Sequence, residues 1–329
     1  MPTTIAAFAY LAMPLLLGSG PRPVPHFQQL ADAFLHGRLT IRIPPVEAAR
    51  PHVVDELIPA AQPDRYYCAY PPLPAFVLLP VVAIAGPAAS VATAGQVISI
   101  LNVWLFAVCL WRLPRRLEQP DSSPASRTAI ILLFALGTVC WHNAEMGGDW
   151  HLAHAVALTA MLLALRESLD RGRLTLIGGF VALAVLARPP AALTAVFFVL
   201  PAIRQRRVPD IVKLAAFPAL AALLLASYNH ARFGSPTDFG YDRMILHGVG
   251  RQLMEQFGQF HPHFVLRNAF WFFLAPPWAT PAGQFPYLGF DPRGLSLFAS
   301  SPALLYAVVA LWRRSRGPLV RDALLGTIA

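Results

Sequence analysis

Long apolar runs, each bounded by proline, glycine or arginine, recur along the chain, and their lengths predict where it crosses a membrane. Residues 1–20 carry no charge and reach the roughly 20 residues that a crossing needs. They lack the positive start and small-residue cleavage site of a signal peptide, so a first span is expected there. Residues 75–85 are apolar but short, and Gly86-Pro87 stops them. If they crossed, Arg112, Arg115, Arg116 and Arg127 would share a side with the first long loop. If they only dip in, those arginines join Arg166, Arg171, Arg173, Arg204, Arg206 and Arg207 on the other side, as the positive-inside rule prefers. Residues 72–86 are therefore expected to be a juxtamembrane or re-entrant helix.

Further spans are expected at 91–111, 128–141, 151–165, 174–187, 191–203, 211–228 and 295–312. As one helix, 174–203 would be about 45 Å long, too long for one crossing, so Pro189-Pro190 breaks it into a hairpin and leaves Arg188 at the outer surface. The last apolar residues, 323–329, are too few to cross, and the chain is expected to be cut within its next helix.

Two long outer loops follow from this topology, 21–72 and 229–292. In the first, Phe27, Leu30, Ala31, Phe34 and Leu35 form the stripe of an amphipathic surface helix ending at Gly37, with Gln28, Asp32 and His36 on the other face. A Pro-rich, irregular segment is expected from there to Asp64. Arg65-Tyr66-Tyr67-Cys68-Ala69-Tyr70-Pro71-Pro72 then closes the loop, with rings suited to the headgroup level or to a substrate. In the second loop, 264–274 is aromatic and short, and is expected to lie along the membrane. The expected fold is an all-α membrane protein, a polytopic helical bundle forming one domain over 1–329, with juxtamembrane helices in its long loops.

Composition supports that class: 56% of residues are hydrophobic and only 13% charged. The formal charge of +9 comes from arginine, with Lys213 the only lysine, and it reports topology; no basic run or nucleic-acid motif accompanies it. Richness in Ala, Arg and Pro suggests a GC-rich bacterial genome, hence a bacterial inner membrane. Cys68 stands alone in the loop while Cys109 and Cys140 lie in apolar runs, so no disulfide framework is implied. No acid falls in mid-span, which argues against an ion pathway and moves any chemistry to the outer loops.

Within those loops Asp32 and His36 share a helix face at i, i+4, so the imidazole can orient the carboxylate, although a plain wet face has the same pattern. Asp149 stands at the mouth of a span with His151 and His154 below it; the set invites a metal, but Asp-x-His-x-x-His is no established metal site and an interfacial cap is the preferred account. Arg188, Arg232 and Arg65 can each hold a phosphate at the surface or snorkel to lipid.

These features resemble the membrane-embedded GT-C glycosyltransferases, in the branch of the protein O-mannosyltransferases and aminoarabinose transferases. The resemblance rests on Leu30-Ala31-x-x-Phe34-Leu35-x-Gly37, Tyr66-Tyr67 before Tyr70-Pro71-Pro72-Leu73-Pro74-Ala75, Asp149 at the head of a span, Leu186-Ala187-Arg188-Pro189-Pro190, and Tyr228-Asn229-x-x-Arg232-Phe233-Gly234-Ser235-Pro236. It implies inverting transfer of a sugar from a polyprenyl-phosphate donor to a hydroxyl of a protein, lipid or glycan, at the extracytoplasmic face. A first-loop carboxylate would be the base. Where the family commonly has Asp-Glu, this chain reads Pro23-Val24-Pro25-His26-Phe27, so the role passes to Asp32 or Asp149. Arg188, Arg232 and Arg65 would hold the donor phosphate, and Tyr66, Tyr67, Tyr70, His36 and His154 would line the donor groove. No cofactor is required by this scheme, and a divalent metal stays open. A transporter or flippase of a lipid-linked saccharide, or a catalytically degenerate scaffold, would use the same grooves without a base.

Overall fold

The structure, a computed structural model, describes residues 1–17, 26–88, 90–117, 122–258, 260–279, 288–289, 291 and 294–306. The expected last span at 295–312 falls partly outside these residues, and the apolar end at 323–329 wholly so. The described chain is mostly helical. In order it forms α1 (Pro2–Leu17), α2 (His26–Leu35), β1 (Ile41–Arg42), α3 (Pro45–Ala48), α4 (Pro51–Val54), β2 (Leu57–Pro59), β3 (Arg65–Cys68), α5 (Leu73–Ala85), α6 (Val91–Leu117), α7 (Pro124–Leu136) and α8 (Val139–Met146). There follow α9 (Asp149–Leu169), α10 (Leu174–Ala187), a 3-10 turn at Pro189–Thr194, α11 (Ala195–Arg204), α12 (Val208–Phe233), α13 (Gly248–Phe257), α14 (His263–Phe273), β4 (Trp278–Ala279), β5 (Leu288–Gly289) and α15 (Leu297–Ser300).

Among the described residues three helices are long and apolar enough to cross a membrane: Val91–Pro114 within α6, then α9 and α12. The single span expected at 128–141 is instead a pair, α7 and α8, bent by 47°. Ser123 caps α7, and the break falls where Gly137 ends it and the Thr138 hydroxyl caps α8. At 13 residues α5 is about 20 Å long, short of the bilayer core, which agrees with a helix that does not cross.

Side-chain pairings fix the directions of the helices. Asn102 Nδ2 donates to Ala155 O and the Cys109 thiol to Leu162 O, so α6 and α9 run parallel. The carboxylate of Glu167 takes both the backbone N–H and the guanidinium of Arg173, which fastens the tight turn into an antiparallel α10. Gly178 of α10 lies against Leu214 of α12, near the beginning of both helices. Arg166, Arg171, Arg173, Arg206 and Arg207 therefore gather at the bundle end opposite Asp149, Arg188 and Arg232, as the alternation of spans requires.

A correction concerns the first loop, which is not irregular and makes the fold other than purely α. Its strands form an antiparallel sheet in the order β1-β3-β2, with Ile41 opposite Tyr66 and Leu57 opposite Cys68. Phe27, Leu30, Ile41, Ile43, Leu57 and Tyr70 pack with Ala75 and Leu78 of α5 and Leu152 of α9 in one core, which seats the loop on the bundle. The predicted face of α2 is rotated: His26 and Gln28 are buried, while Leu35 is exposed. α14 falls within one residue of the aromatic segment expected at 264–274.

A Cβ at Gly178 would stand 2.4 Å from the backbone oxygen of Leu214, whereas at neighbouring Gly179 it would meet nothing nearer than 4.0 Å. Gly178→Ala is expected to cost on the order of 1–3 kcal/mol through overpacking. Gly179→Ala is expected to be neutral or slightly stabilising, and thermal unfolding in detergent separates the two.

Candidate functional site

Asp149 sits where α9 meets the first loop. Its Oδ2 accepts from the backbone N–H of His26 at 3.0 Å and its Oδ1 from that of Phe27 at 3.1 Å, so the carboxylate closes the first turn of α2. It is 7% exposed and both oxygens are engaged. Burial holds the His26 imidazole below its ordinary value, and its Nε2 faces the Val53 carbonyl, which can only accept. The neutral ring therefore gives its one N–H to Val53, and its approach to Asp149 at 3.5 Å is not an ion pair.

The acid that meets both Tyr70 and Trp150 is Glu56, which the sequence does not single out. Its Oε2 accepts from the Tyr70 hydroxyl and, at 2.7 Å, from the Trp150 indole N–H; neither donor is on Oε1. Its backbone φ is +62°, a left-handed conformation that costs a non-glycine residue on the order of 1–3 kcal/mol. Backbone bonds from the second loop hold it there: the Glu56 N–H donates to Ile245 O at 2.7 Å and the Ile245 N–H to Leu57 O at 2.8 Å. Beside them His247 Nδ1 lies 3.1 Å from Asp55 Oδ1. Burial and the Glu56 charge push the Tyr70 hydroxyl well above its usual range, so it remains a donor.

Arg188 completes the cluster. Its guanidinium lies over the Trp150 ring, 5.1 Å from the centroid, within electrostatic reach of Tyr70, Tyr241 and Glu56. It is half-buried against Trp150, so this side chain does not stand free at the surface, although Pro190 and Leu193 of the hairpin tip are exposed. A cavity of about 310 Å³ lies within the neighbouring second loop, lined by Arg243, Ile245, His247 and Met254 among others, and not by Glu56, Tyr70, Trp150 or Arg188.

The other nominated residues are placed differently. Asp32 is about 8 Å further along α2 than the end that Asp149 caps, and lies near Arg38 and His36 at 3.7 and 3.6 Å on an exposed face. His36 is exposed there, away from Glu56. Arg65 opens β3 opposite Arg42, ~10 Å along the strand from Cys68. Tyr66 and Tyr67 point to opposite faces of β3: Tyr66 packs on the loop core and Tyr67 against Phe233. Only Tyr70 of the three reaches Glu56. His154 is exposed one turn below Trp150, their ring centroids 6.5 Å apart. Arg232 is buried: its Nη1 donates to Cys68 O at 2.8 Å and its Nη2 to Asn229 Oδ1 at 2.7 Å, while its guanidinium stacks on Tyr228 and Phe233. It fastens the end of α12 to β3. Among the described residues no group of three or more His, Cys, Asp or Glu is arranged to hold a metal ion.

Comparison with protein-family models, curated proteins and solved structures gives no match for this chain.

Asp149→Ala leaves two buried N–H groups of α2 without an acceptor and is expected to cost about 2–4 kcal/mol. Glu56→Gln keeps an acceptor for Tyr70 and Trp150 and should stay within about 1 kcal/mol of the parent protein. Unfolding midpoints in one detergent measure both.

Proposed function

We propose that this membrane protein transfers a sugar from a polyprenyl-phosphate donor to an acceptor hydroxyl at the extracytoplasmic face, with Glu56 as general base and Arg188 as the partner of the donor phosphate. The observation that carries the reading is Glu56 held at positive φ by two backbone bonds, with Oε1 left for a ligand and a half-buried guanidinium nearby. Strained backbone is retained where function over-determines it, and a carboxylate beside a cation is the pair that such a displacement needs. The gathering of arginines at the opposite bundle end supports an extracytoplasmic site through the positive-inside rule.

In this scheme the acceptor enters from the cavity side and gives its hydroxyl proton to Glu56 Oε1. The freed oxygen attacks the anomeric carbon as the bond from that carbon to the phosphate oxygen breaks. The electron pair of that bond leaves with the phosphate, whose added charge Arg188 neutralises. Attack opposite the leaving group inverts the anomeric centre. Glu56 takes the base role in preference to Asp32, which lies beside Arg38 and His36 on an exposed face, and to Asp149, whose oxygens hold α2. Arg188 takes the phosphate in preference to Arg232, which is committed to Cys68 and Asn229.

Sugar transfer by the purified chain in lipid, across a panel of polyprenyl-phosphate sugars, tests this. Glu56→Gln is expected to lower turnover by about 10²–10⁴-fold with donor binding intact, Asp32→Asn to stay near wild type, and Arg188→Ala to weaken donor binding. Full turnover by Glu56→Gln would refute the base. A wild-type chain that binds donors and transfers none would instead leave carriage of a lipid-linked saccharide as its function.

A further inference from the structure

Trp150 is used by the scheme above only as a hydrogen-bond donor, yet the indole is 45% exposed at the mouth of a site made of buried and half-buried groups. A tryptophan that merely anchors a protein at the membrane surface turns its N–H toward headgroups or water. This one commits its N–H to Glu56 at 2.7 Å. The ring is also held on several sides: Arg188 lies over it at 5.1 Å, Tyr70 meets it edgewise at 6.3 Å and 87°, and His154 lies tilted below at 6.5 Å. Its orientation is thus fixed before anything binds, while a large part of its surface stays open.

The indole touches the Glu56 carboxylate along one edge and carries the Arg188 guanidinium on its ring. It therefore spans the gap between the group assigned to the acceptor and the group assigned to the phosphate. The ligand that fits the gap has an apolar face to lie on a π-surface, hydroxyl groups at its rim for carboxylate and guanidinium, and an attached anion at one end. A pyranose linked to a phosphate has all three.

We propose that Trp150 is the platform for the sugar that is transferred, its C–H face lying on the open indole with the anomeric carbon between the Glu56 and Arg188 sides. This rests on the assignment of Arg188 to the donor phosphate. It adds that the chain recognises the sugar itself, through a residue placed by Glu56 and Tyr70 of the first outer loop and by Arg188, and not the lipid phosphate alone.

The test compares binding of two ligand types to the full chain in nanodiscs: bare undecaprenyl phosphate, and undecaprenyl phosphate bearing mannose, glucose, galactose or aminoarabinose. For wild type the best sugar-bearing lipid is expected to bind roughly tenfold more tightly than the bare one, the scale of one good stacking contact. Trp150→Leu is expected to abolish that ratio, and Trp150→Phe, which keeps a ring but no N–H, to keep most of it. A ratio that survives Trp150→Leu overturns the platform. A ratio lost in Trp150→Phe also overturns it, because the bond to Glu56 and not the ring surface would then be what matters. If wild type binds neither lipid, the phosphate assignment fails, and the platform fails with it. If the ratio depends on the ring but no sugar is ever transferred, the platform stands and the transfer reading falls.

Discussion

One buried carboxylate fastens the start of the first loop's helix to the bundle. Asp149 begins α9 and at the same time closes α2, accepting the backbone N–H groups of His26 and Phe27. A helix start buried against apolar neighbours must have its donors satisfied, and the Asp149 carboxyl supplies an acceptor for two of them. Once α2 is seated, Phe27 and Leu30 enter the core that holds β1, β2 and α5, and β3 brings Tyr70 over Trp150. The residue after Asp149 is Trp150, so the clamp and the indole that meets Glu56 are set by one turn of helix. Gly147, at φ +58° and packed on Ala92, lets the chain turn into that helix close to α6.

The second loop supplies the other half of the constraint. Arg232 at the end of α12 reaches the carbonyl of Cys68, and Ile245 pairs with Glu56 and Leu57. The two loops thus exchange backbone bonds directly beside the strained Glu56. Each of the sequence motifs around Asp149 and Arg232 is chiefly a fastening, and the groups left free for chemistry are those that the fastenings position.

Much of the bundle was legible in the sequence because apolar length and flanking arginine are local signals. α6, α9 and α10 lie where the runs and their stops put them, and the shortness of α5 followed from Gly86-Pro87. The break between α7 and α8 was missed because an uninterrupted apolar run does not reveal that Gly137 and Thr138 end one helix and cap the next. The sheet was missed for another reason: strands of two to four residues, separated by prolines, show no alternation long enough to read. Without the sheet, Glu56 is one acid among those of the first loop, and nothing local tells that it meets Trp150, 94 positions away. Arg188 and Tyr70 could be named in advance, since each stands beside a proline pair at the edge of an apolar run. Asp32 stood out for its i, i+4 partner, which the structure turns toward solvent.

The central claim is that donor and base meet at Glu56, Trp150 and Arg188. An electron cryo-microscopy structure of the chain in lipid with a polyprenyl-phosphate sugar bound tests it most directly. The account predicts density for the phosphate at Arg188 and for the sugar ring on Trp150, with the anomeric carbon open to Glu56 Oε1. Sugar density beside Asp32 and His36, or a phosphate held elsewhere with Arg188 still stacked on an empty Trp150, would contradict it.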